Sequence, residues 1–405
     1  MWESEPVVIV GANMAGMTAA RALAGKVRAQ VFDASSSIEW LPNIHELVSH
    51  GRRPQNLRLA RAPILHRMGH EFSVARLSRI DWRHHRLRFD DGREVLYSRL
   101  LLALGGVNNT FGVPGAQDHA LPFKSVADCQ HIAMRLDQLS HQESLNVVLV
   151  GAGIEGIEAL GEVLSRYHRH PGLNISVVDS ADRLLPRLPP QVDARLRDHC
   201  DGLPVSFLLG RKVAQVERER VTLDDGQQIH SDLVIWTGGV AANPSLRQSS
   251  LADASGFVPV SATLQSKVSS SVYVAGDCIG LVNGQSIARQ AYHAMDMGKL
   301  AARNLVAELD HRPLSDYTPV DKPQLVTFGH YDTFMVWGDR VWAGPALRSL
   351  KEAVYQAGLV QLDSRSPGRR LSGLARRLLD AGIDELISLM RSPSLLRMLR
   401  VSRLN

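Results

Sequence analysis

Residues 7–16, VVIVGANMAG, determine the expected fold of the N-terminal part of the chain. Their first four residues form a continuous apolar run, which is typical of a parallel strand buried on both faces. A glycine turn follows, and residues 17–23 then have a helical pattern. The next strand, Ala29–Asp33, ends in an acid. This order predicts a βαβ unit with a parallel sheet.

The same plan recurs in the middle of the chain, where residues 147–156 read VVLVGAGIEG. A helix to about Tyr167 and an acidic strand, Ile175–Asp179, follow this second glycine turn. Each copy also has an Asp-Gly hairpin, at Asp91-Gly92 and Asp225-Gly226, and then a strand that runs into a glycine pair. Because two units share one order of features, the duplication indicates more than either glycine motif alone.

Each unit has the residue types that bind a dinucleotide. A strand that enters a helix through a glycine turn directs backbone N–H groups and the positive helix end at one point, which suits a pyrophosphate. An acid after the next strand can accept hydrogen bonds from the adenosine ribose. The candidates are Gly11, Asn13, Ala15, Gly16 and Asp33 in the first unit, and Gly151, Gly153, Gly156 and Asp179 in the second.

The two units favour different ligands. No basic residue directly follows Asp179, so its carboxylate would repel a 2′-phosphate, and NADH is preferred to NADPH. In the first unit Asn13 replaces the second glycine, which leaves phosphate binding and a non-binding relic both open. A later strand, residues 271–277, ends at Gly276-Asp277, where a carboxylate can bond the ribityl hydroxyls of FAD. The first unit is therefore expected to bind FAD.

Since this strand returns after the second unit, the NAD-binding domain is expected to be inserted into the FAD-binding domain. We predict an α/β protein with two Rossmann-like, three-layer (ββα) dinucleotide-binding domains and a small C-terminal α/β region with amphipathic helices. The predicted FAD-binding domain comprises residues 1–115 and 251–318, the NAD-binding domain residues 116–250, and the C-terminal region residues 319–405.

Further segments make the chain similar to the type II NADH:quinone oxidoreductases, the single-subunit alternative NADH dehydrogenases. These belong to the superfamily of flavoproteins with two dinucleotide-binding domains. The resemblance covers about residues 6–310. It is carried by FGVPG (111–115), HALPFKS (119–125), LLP (184–186), VIWTGGV (234–240) with NP (243–244), and VAGDC (274–278).

The resemblance implies an FAD-dependent NADH dehydrogenase. It would take a hydride from NADH to flavin and pass two electrons to a quinone-type acceptor by a ping-pong mechanism, with the reacting atoms about 3–3.5 Å apart. By position, Glu158 lies near where nicotinamide stacks on flavin, and Pro42 lies in the loop beside the isoalloxazine. The other residues assigned to the cofactors in this way are Gly105, Gly276, Asp277 and Ala291 for FAD, and Gly238 and Gly239 for NAD.

The chain departs from the family in a helix expected over residues 286–305, whose N-terminus should point at the flavin. Family members carry glutamines there that frame the quinone entrance. Tyr292, Asp296 and Met297 replace them. Tyr292 is a candidate catalytic residue that stacks on an aromatic acceptor, or it packs in the core. Two other functions therefore stay open: a soluble NADH-dependent flavoprotein reductase with another acceptor, and a non-catalytic flavin-holding interaction protein.

Cysteine and histidine usage argues against several other classes. Cys129, Cys200 and Cys278 are too far apart for a disulfide framework, a cysteine-rich zinc site or a redox dithiol, and they fit a reducing compartment. His84-His85, placed in a hairpin strand, and His168 with His170, placed at a helix end, lack a second ligand cluster. We therefore expect no metal.

The positive charge of the chain is concentrated in its tail. The formal net charge is +5, and residues 365–405 contain nine arginines and three acids, so the body is not expected to bind nucleic acid. Residues 370–381 place leucines on one stripe and arginines opposite, and this basic amphipathic pattern favours an interfacial helix on anionic lipid. A dimer interface or packing against the body are the alternatives.

No apolar run approaches the ~18 residues of a spanning helix. The expected location is thus cytoplasmic, peripheral on the inner face of the cell membrane through the tail, with a homodimer as a further expectation.

Overall fold

The computed structural model describes residues 5–363, 394 and 400–404. The tail helix predicted over residues 370–381 lies outside these residues. Within the described ranges the strands, in chain order, are β1 (Val7–Val10), β2 (Ala29–Asp33), β3 (Ser37–Glu39), β4 (Arg58–Ala60), β5 (Glu71–Val74), β6 (Leu77–Asp81), β7 (Arg86–Phe89), β8 (Glu94–Leu96), β9 (Arg99–Leu102), β10 (Gly106–Asn108), β11 (Ala120–Pro122), β12 (Leu145–Val150), β13 (Leu173–Asp179), β14 (Val205–Leu209), β15 (Val213–Glu217), β16 (Arg220–Leu223), β17 (Gln228–His230), β18 (Leu233–Trp236), β19 (Val240–Ala242), β20 (Val258–Val260), β21 (Gln265–Ser266), β22 (Ser269–Val274), β23 (Ile279–Val282), β24 (Gln324–Phe328), β25 (Asp332–Trp337), β26 (Arg340–Ala343) and β27 (Ser402–Leu404).

The helices of the same ranges include two short 3-10 helices, Leu41–Leu47 and Pro54–Leu57. The α-helices are α1 (Met14–Leu23), α2 (Arg61–Arg67), α3 (Ala116–His119), α4 (Val126–Leu139), α5 (Ile154–Tyr167), α6 (Pro190–Cys200), α7 (Pro244–Arg247), α8 (Ala291–Leu309) and α9 (Leu347–Leu362). None of these described helices combines the length and apolarity that crossing a membrane requires.

The described residues form two compact units. Unit 1 draws on Met1–Glu39, Arg58–Val107 and Val240–Val320. Its main sheet has eight strands in the order β23-β20-β21-β22-β9-β1-β2-β5, and the five strands from β22 to β5 are parallel. A three-stranded antiparallel sheet, β6-β7-β8, belongs to the same unit.

Small residues bring α1 and α8 of unit 1 into close contact. A Cβ atom on Gly298 of α8 would overlap the carbonyl oxygen of Ala15 on α1. Only glycine allows this approach. The backbone of α1 at Ala15 is therefore in direct contact with α8.

Unit 2 draws on Trp40–Leu57, Asn108–Gly239 and Asp321–Asn405. Its five-stranded sheet, β11-β18-β12-β13-β14, is parallel throughout. All four residues of β18 and five of the six residues of β12 are buried, as expected for central parallel strands with both faces covered. The antiparallel sheet β15-β16-β17 corresponds to β6-β7-β8 of unit 1.

The C-terminal part of unit 2 is an antiparallel sheet, β24-β25-β26-β27, with the helix α9. It packs against α5, because a Cβ atom on Gly161 would overlap the backbone where β24 ends. This contact places the C-terminal sheet beside the helix that follows the second glycine turn.

The predicted α/β class with parallel, Rossmann-like sheets is confirmed, and the duplicated plan recurs as β1-α1-β2 and β12-α5-β13. Two local predictions were wrong. The helix expected from residue 286 begins at Ala291, because Gln290 before it has an extended backbone, with φ of −131°. His84 and His85 lie in the turn between β6 and β7 rather than in a strand, since the His84 N–H bonds to Asp81 Oδ1 at 3.3 Å and closes the turn.

Candidate functional site: two glycine turns at the ends of parallel strands

The first glycine turn follows β1 and cannot accept side chains at two of its positions. Gly11 has φ of +92°, and a Cβ atom there would overlap the Ala103 carbonyl oxygen. A Cβ atom on Gly16 would overlap the Gly11 carbonyl oxygen. These glycines therefore let β1, the chain after β9 and α1 meet at backbone distance, as the sequence pattern requires.

Asp33 closes this turn from the end of β2. Its Oδ2 accepts the Ala12 N–H at 2.7 Å, and its Oδ1 accepts the Ser35 N–H at 2.9 Å. Because β1, β2, β9 and β22 are parallel, their carboxyl ends share one edge of the sheet. The structure thus brings together eight candidate residues at this edge: Gly11, Asn13, Ala15, Gly16, Asp33, Gly105, Gly276 and Asp277.

Asn13 does not block this edge, because its side chain is held elsewhere. Its Oδ1 accepts the Glu39 N–H at 3.1 Å, which ties the turn to β3. Asn13 precedes α1 but makes no side-chain capping bond to that helix. The first N–H groups of α1 therefore remain directed at the edge, where an anion would be stabilised.

Arg61 is the residue of this edge that the sequence analysis missed. It is 3% exposed, and its guanidinium forms an ion pair with Asp33 at 2.8 Å and donates to the Ala12 carbonyl at 2.7 Å. It also donates to the Ser35 carbonyl. Burial lowers the pKa of Arg61, and the Asp33 charge opposes that shift. Nothing in the local sequence marks it, since its partners lie 26 or more residues away.

Two further glycines lie at the same edge of unit 1 and differ in the space around them. Gly105, after β9, has φ of +65° and no atom within 4 Å of a Cβ position. Gly276, after β22, has φ of +79°, and a Cβ atom there would meet Ala15 at 3.3 Å. A flat or extended ligand can therefore approach the backbone at Gly105. The polar groups of this edge fit FAD, with helix N–H groups as donors and the carboxylates of Asp33 and the half-buried Asp277 as acceptors.

The beginning of α8 has an aromatic and histidine cluster. The rings of Tyr292 and His293 are 4.2 Å apart, and His293 Nδ1 bonds the Tyr317 hydroxyl at 2.9 Å. Burial, with smaller contributions from Asp296 and Tyr292, raises the pKa of Tyr317 to about 12. Tyr292 and Ala291 are both partly exposed, so neither is simply a core residue.

The second glycine turn repeats the first with one difference. Gly151 has φ of +110°, and a Cβ atom there would lie 2.6 Å from Thr237 Oγ1. A Cβ atom on Gly156 would overlap the Gly151 carbonyl oxygen. Gly153, however, has no atom within 4 Å of its Cβ position. No protein contact requires this glycine, which is the expected property of the position that a phosphate approaches.

Asp179 occupies the place in unit 2 that Asp33 has in unit 1. Its Oδ2 accepts the Ala152 N–H at 2.6 Å and its Oδ1 accepts the Ala181 N–H at 2.8 Å. The Arg211 backbone N–H bonds the Asp179 carbonyl at 3.0 Å, but the Arg211 guanidinium pairs with Asp225, and Asp179 forms no ion pair among the described residues. Gly238 and Gly239 follow β18, the other neighbour of β12, so the candidates of unit 2 also share one sheet edge.

Glu158 lies in a buried ion cluster of unit 2. Lys351 of α9 donates to Glu158 Oε1, which also accepts the Thr327 N–H at 3.2 Å. Lys351 Nζ lies 2.9 Å from His45 Nε2, and His45 Nδ1 lies 3.1 Å from Glu162. These distances allow a chain of hydrogen bonds from Lys351 through His45 to Glu162.

Part of this cluster had a signal in the sequence. Glu158 and Glu162 are four residues apart on one helix face, a spacing that brings side chains together. His45 and Lys351 come from distant segments and had none. Pro42, predicted beside the flavin ring, begins the same Leu41–Leu47 helix as His45, and that helix is grouped with unit 2.

The three cysteines are all free and buried. Burial raises the pKa of Cys278 to about 12 and that of Cys200 to about 11. Cys129 lies in α4 and Cys278 follows the Gly276-Asp277 turn, and both side chains are fully buried. A buried thiol with a raised pKa is a poor nucleophile.

The chain has two parallel sheets, and each carries a glycine turn and an aspartate that accepts an N–H of that turn. This combination defines a protein with two dinucleotide-binding modules. The chain belongs to the pyridine nucleotide-disulphide oxidoreductase family, whose profile matches residues 5–298.

Individual proteins agree with this assignment. The chain is 24% identical to a type II NADH:quinone oxidoreductase of Haemophilus influenzae, and the match covers 80% of this chain and 85% of that protein. The solved structure of NDH2 from Plasmodium falciparum in complex with NADH has a TM-score of 0.79 at 14% identity, covering 94% of this chain and 97% of that one. The sulfide:quinone oxidoreductase from Aquifex aeolicus also has a TM-score of 0.79 at 14% identity, covering 94% and 96%.

The two solved structures share the fold of this chain. The predicted flavoprotein family is confirmed, and with it an oxidoreductase enzyme that uses FAD and NADH.

Proposed function

We propose that the chain oxidises NADH and passes two electrons to a quinone-type acceptor by a ping-pong mechanism. The observation that carries this proposal is the pair of equivalent aspartates: Asp33 and Asp179 each bond the N–H next to the first glycine of a turn. The relative from Haemophilus influenzae, named a type II NADH:quinone oxidoreductase, supports the acceptor class.

FAD binding is assigned to unit 1 and NAD binding to the parallel-sheet part of unit 2. The predicted domain boundaries after residues 115, 250 and 318 compare with unit boundaries after Val107, Gly239 and Val320. In unit 1, the first N–H groups of α1 hold the pyrophosphate and Asp33 holds the adenosine ribose. Gly105, Gly276, Asp277 and Ala291 border the rest of the cofactor. Bound FAD supplies the two-electron redox chemistry that NADH oxidation requires.

In unit 2, the turn at Gly151, Gly153 and Gly156 holds the NADH pyrophosphate, and Gly238 and Gly239 border the nicotinamide half. The Asp179 carboxylate accepts two backbone N–H groups and forms no ion pair among the described residues. A 2′-phosphate would meet that charge directly, so NADH is the donor rather than NADPH. Glu158 is the proposed catalytic residue of this unit, and Lys351 fixes the orientation of its carboxylate.

A different acceptor is the second candidate function, and Tyr292 favours it. The family glutamines of this helix are replaced by Tyr292, Asp296 and Met297, and the Tyr292 ring is held against His293. An aromatic ring at this position suits a flat acceptor, because aromatic rings stack on planar groups. The non-catalytic alternative, a flavin-holding interaction protein, loses its main support because Asn13 is bonded to Glu39.

Anaerobic addition of NADH to the purified holoenzyme tests the catalytic proposal. Loss of the visible flavin absorbance is expected, with NADPH much less effective. Failure of NADH to bleach the flavin would contradict the proposed transfer of a hydride from NADH to the flavin. Steady-state kinetics with ubiquinone, menaquinone and soluble dyes then test the acceptor, and parallel double-reciprocal lines are expected for a ping-pong reaction.

Tyr292→Gln sharpens the acceptor test by restoring the family residue. If Tyr292 disfavours quinone, this variant should raise turnover with quinone relative to dye. Val268→Gln changes an exposed apolar residue of the same unit and is the matched control. An unchanged ratio in Tyr292→Gln would remove Tyr292 from the acceptor site.

The location proposed for the enzyme is the inner membrane surface, reached through the basic tail, with a homodimer as a further proposal. Flotation with anionic liposomes, with and without residues 365–405, tests the first, and sedimentation of the full chain tests the second. Equal flotation of both forms would contradict the membrane role of the tail.

A further inference from the structure

Phe111 has an unusual backbone for its residue type. Its φ is +53°, in the left-handed region that costs a residue with a Cβ about 1–2 kcal/mol. Its side chain is 67% exposed, so burial of the ring within this chain does not offset that cost. Strain of this kind is characteristic of functional sites, where the surrounding structure maintains it.

Several contacts hold the strained turn in place. The Phe111 N–H donates to Asn109 Oδ1 at 2.8 Å. The Trp236 indole N–H bonds the Asn109 carbonyl at 2.8 Å and the Gly238 carbonyl at 3.1 Å. The turn is thereby fastened to the end of β18, which carries the Gly238-Gly239 pair.

The Phe111 ring lies directly on Gly239. A Cβ atom on Gly239 would be 2.5 Å from Phe111 Cζ, so the glycine is needed for the ring to rest there. The Cζ and Cε atoms at the tip of the ring contact the glycine, and most of the side chain remains open to solvent. An exposed aromatic surface fixed at a glycine pair is suited to stacking on a planar or sugar group.

The position of Phe111 along the sheet indicates which half of a dinucleotide it would meet. Asp179, the proposed partner of the adenosine ribose, follows β13, which pairs with one side of β12. Gly238 and Gly239 follow β18, which pairs with the other side of β12. With the pyrophosphate at the glycine turn after β12, the nicotinamide half extends toward β18 and Phe111.

We infer that Phe111 is a positioning residue that contacts the nicotinamide-nucleoside half of NADH. This inference rests on the proposed binding of NADH to unit 2. The ring keeps the nicotinamide end of the bound dinucleotide oriented at the Gly238-Gly239 pair, while Asp179 holds the opposite end. Its contribution is to the affinity for NADH and not to that for the adenosine part alone.

Phe111→Gly separates this role from a structural one. Glycine adopts φ of +53° freely, so the variant should unfold at the same temperature as the wild type or higher. Its Kd for NADH should nevertheless rise about tenfold, which corresponds to about 1.4 kcal/mol. Phe111→Tyr, which keeps the ring, should bind NADH as the wild type does. Met134→Ala, which shortens another exposed apolar side chain of unit 2, is the control.

Binding of NADH, ADP-ribose and ADP to each holoenzyme variant provides the decisive comparison. The expected result is a tenfold loss for NADH, an intermediate loss for ADP-ribose and no change for ADP, with unchanged FAD content. Equal losses for NADH and ADP, or no loss for either, would overturn the inference while the proposed function stands. A wild type that binds ADP but not NADH would overturn the proposed function and this inference together.

Discussion

The two glycine turns of this chain share a backbone and differ in charge and enclosure. In unit 2, Gly153 is open and the Asp179 carboxylate is held by backbone N–H groups. In unit 1, Asn13 is bonded to the next strand and Asp33 is paired with the buried Arg61. The first turn is therefore more rigid and closer to neutral. Such a turn suits a resident cofactor, whereas an open, acidic turn suits a substrate that binds and leaves.

Gly11→Ala should have the largest effect on this comparison. The added methyl group would overlap the Ala103 carbonyl oxygen at a residue with φ of +92°, so we expect unit 1 to lose about 3 kcal/mol or more and to retain no FAD. Absorbance of the purified protein and thermal unfolding measure both. Gly25 also has a positive φ, but no atom lies within 4 Å of its Cβ position. Gly25→Ala should therefore lower the free energy of unfolding by only about 1 kcal/mol. Equal losses in the two variants would show that space at Gly11 is not the constraint.

Arg61→Met should have the next largest effect. It leaves the Asp33 carboxylate without its buried cation, a change that typically costs about 3 kcal/mol. FAD content should fall, whereas the affinity of unit 2 for NADH should not change. The exposed pair Arg28–Glu71 is the control, and Arg28→Met should alter stability by less than about 0.5 kcal/mol. Full FAD retention in Arg61→Met would contradict the view that the first turn depends on this cation.

Asp179→Asn and Asp33→Asn test which of the two turns determines the preference for NADH over NADPH. Removing the charge at Asp179 should raise the ratio of NADPH to NADH in kcat/KM about tenfold, since the 2′-phosphate no longer meets an anion. Asp33→Asn should leave that ratio unchanged and lower only FAD affinity. The ratio is measured by steady-state kinetics with each nucleotide. A shift in the ratio caused by Asp33→Asn would reverse the assignment of the two units.

The smallest effects are expected at the middle positions of the turns. Asn13→Ala removes the bond to the Glu39 N–H and should cost about 1 kcal/mol of stability. Gly153→Ala places a methyl group in open space at an ordinary φ of −74°, so stability should change by less than about 0.5 kcal/mol. NADH affinity should still fall in Gly153→Ala. An unchanged NADH affinity would show that the phosphate does not approach Gly153.

The local pattern of the sequence predicted the strands that frame both turns. The observed strands β1 and β2 have the predicted bounds, because a short apolar run between turn residues is a local signal. The start of α8 was missed by five residues, since Ser286 is a suitable cap but the chain stays extended through Gln290. The turn at His84 was missed because it depends on the side chain of Asp81. The Asp81 carboxylate accepts the His84 N–H, which would otherwise be available for strand pairing.

The side-chain contacts of the site were largely beyond sequence reasoning. Arg61 reaches Asp33 and Ala12 from a separate helix, and Lys351 reaches Glu158 across 193 residues. Such pairs depend on how distant segments fold together, and no spacing rule encodes them. The glycines were predictable because the backbone of a tight turn from a strand into a helix leaves no space for a Cβ atom at these positions. This constraint recurs wherever a strand enters a helix in this way.

The burial of the three thiols has a practical consequence. Cys278 lies in unit 1, while Cys129 and Cys200 lie in unit 2. An alkylating reagent can reach them only when the surrounding interior opens. The rate at which each cysteine becomes labelled in native buffer therefore reports how often its own unit opens locally. Mass spectrometry can measure the labelling rates of both units in one sample.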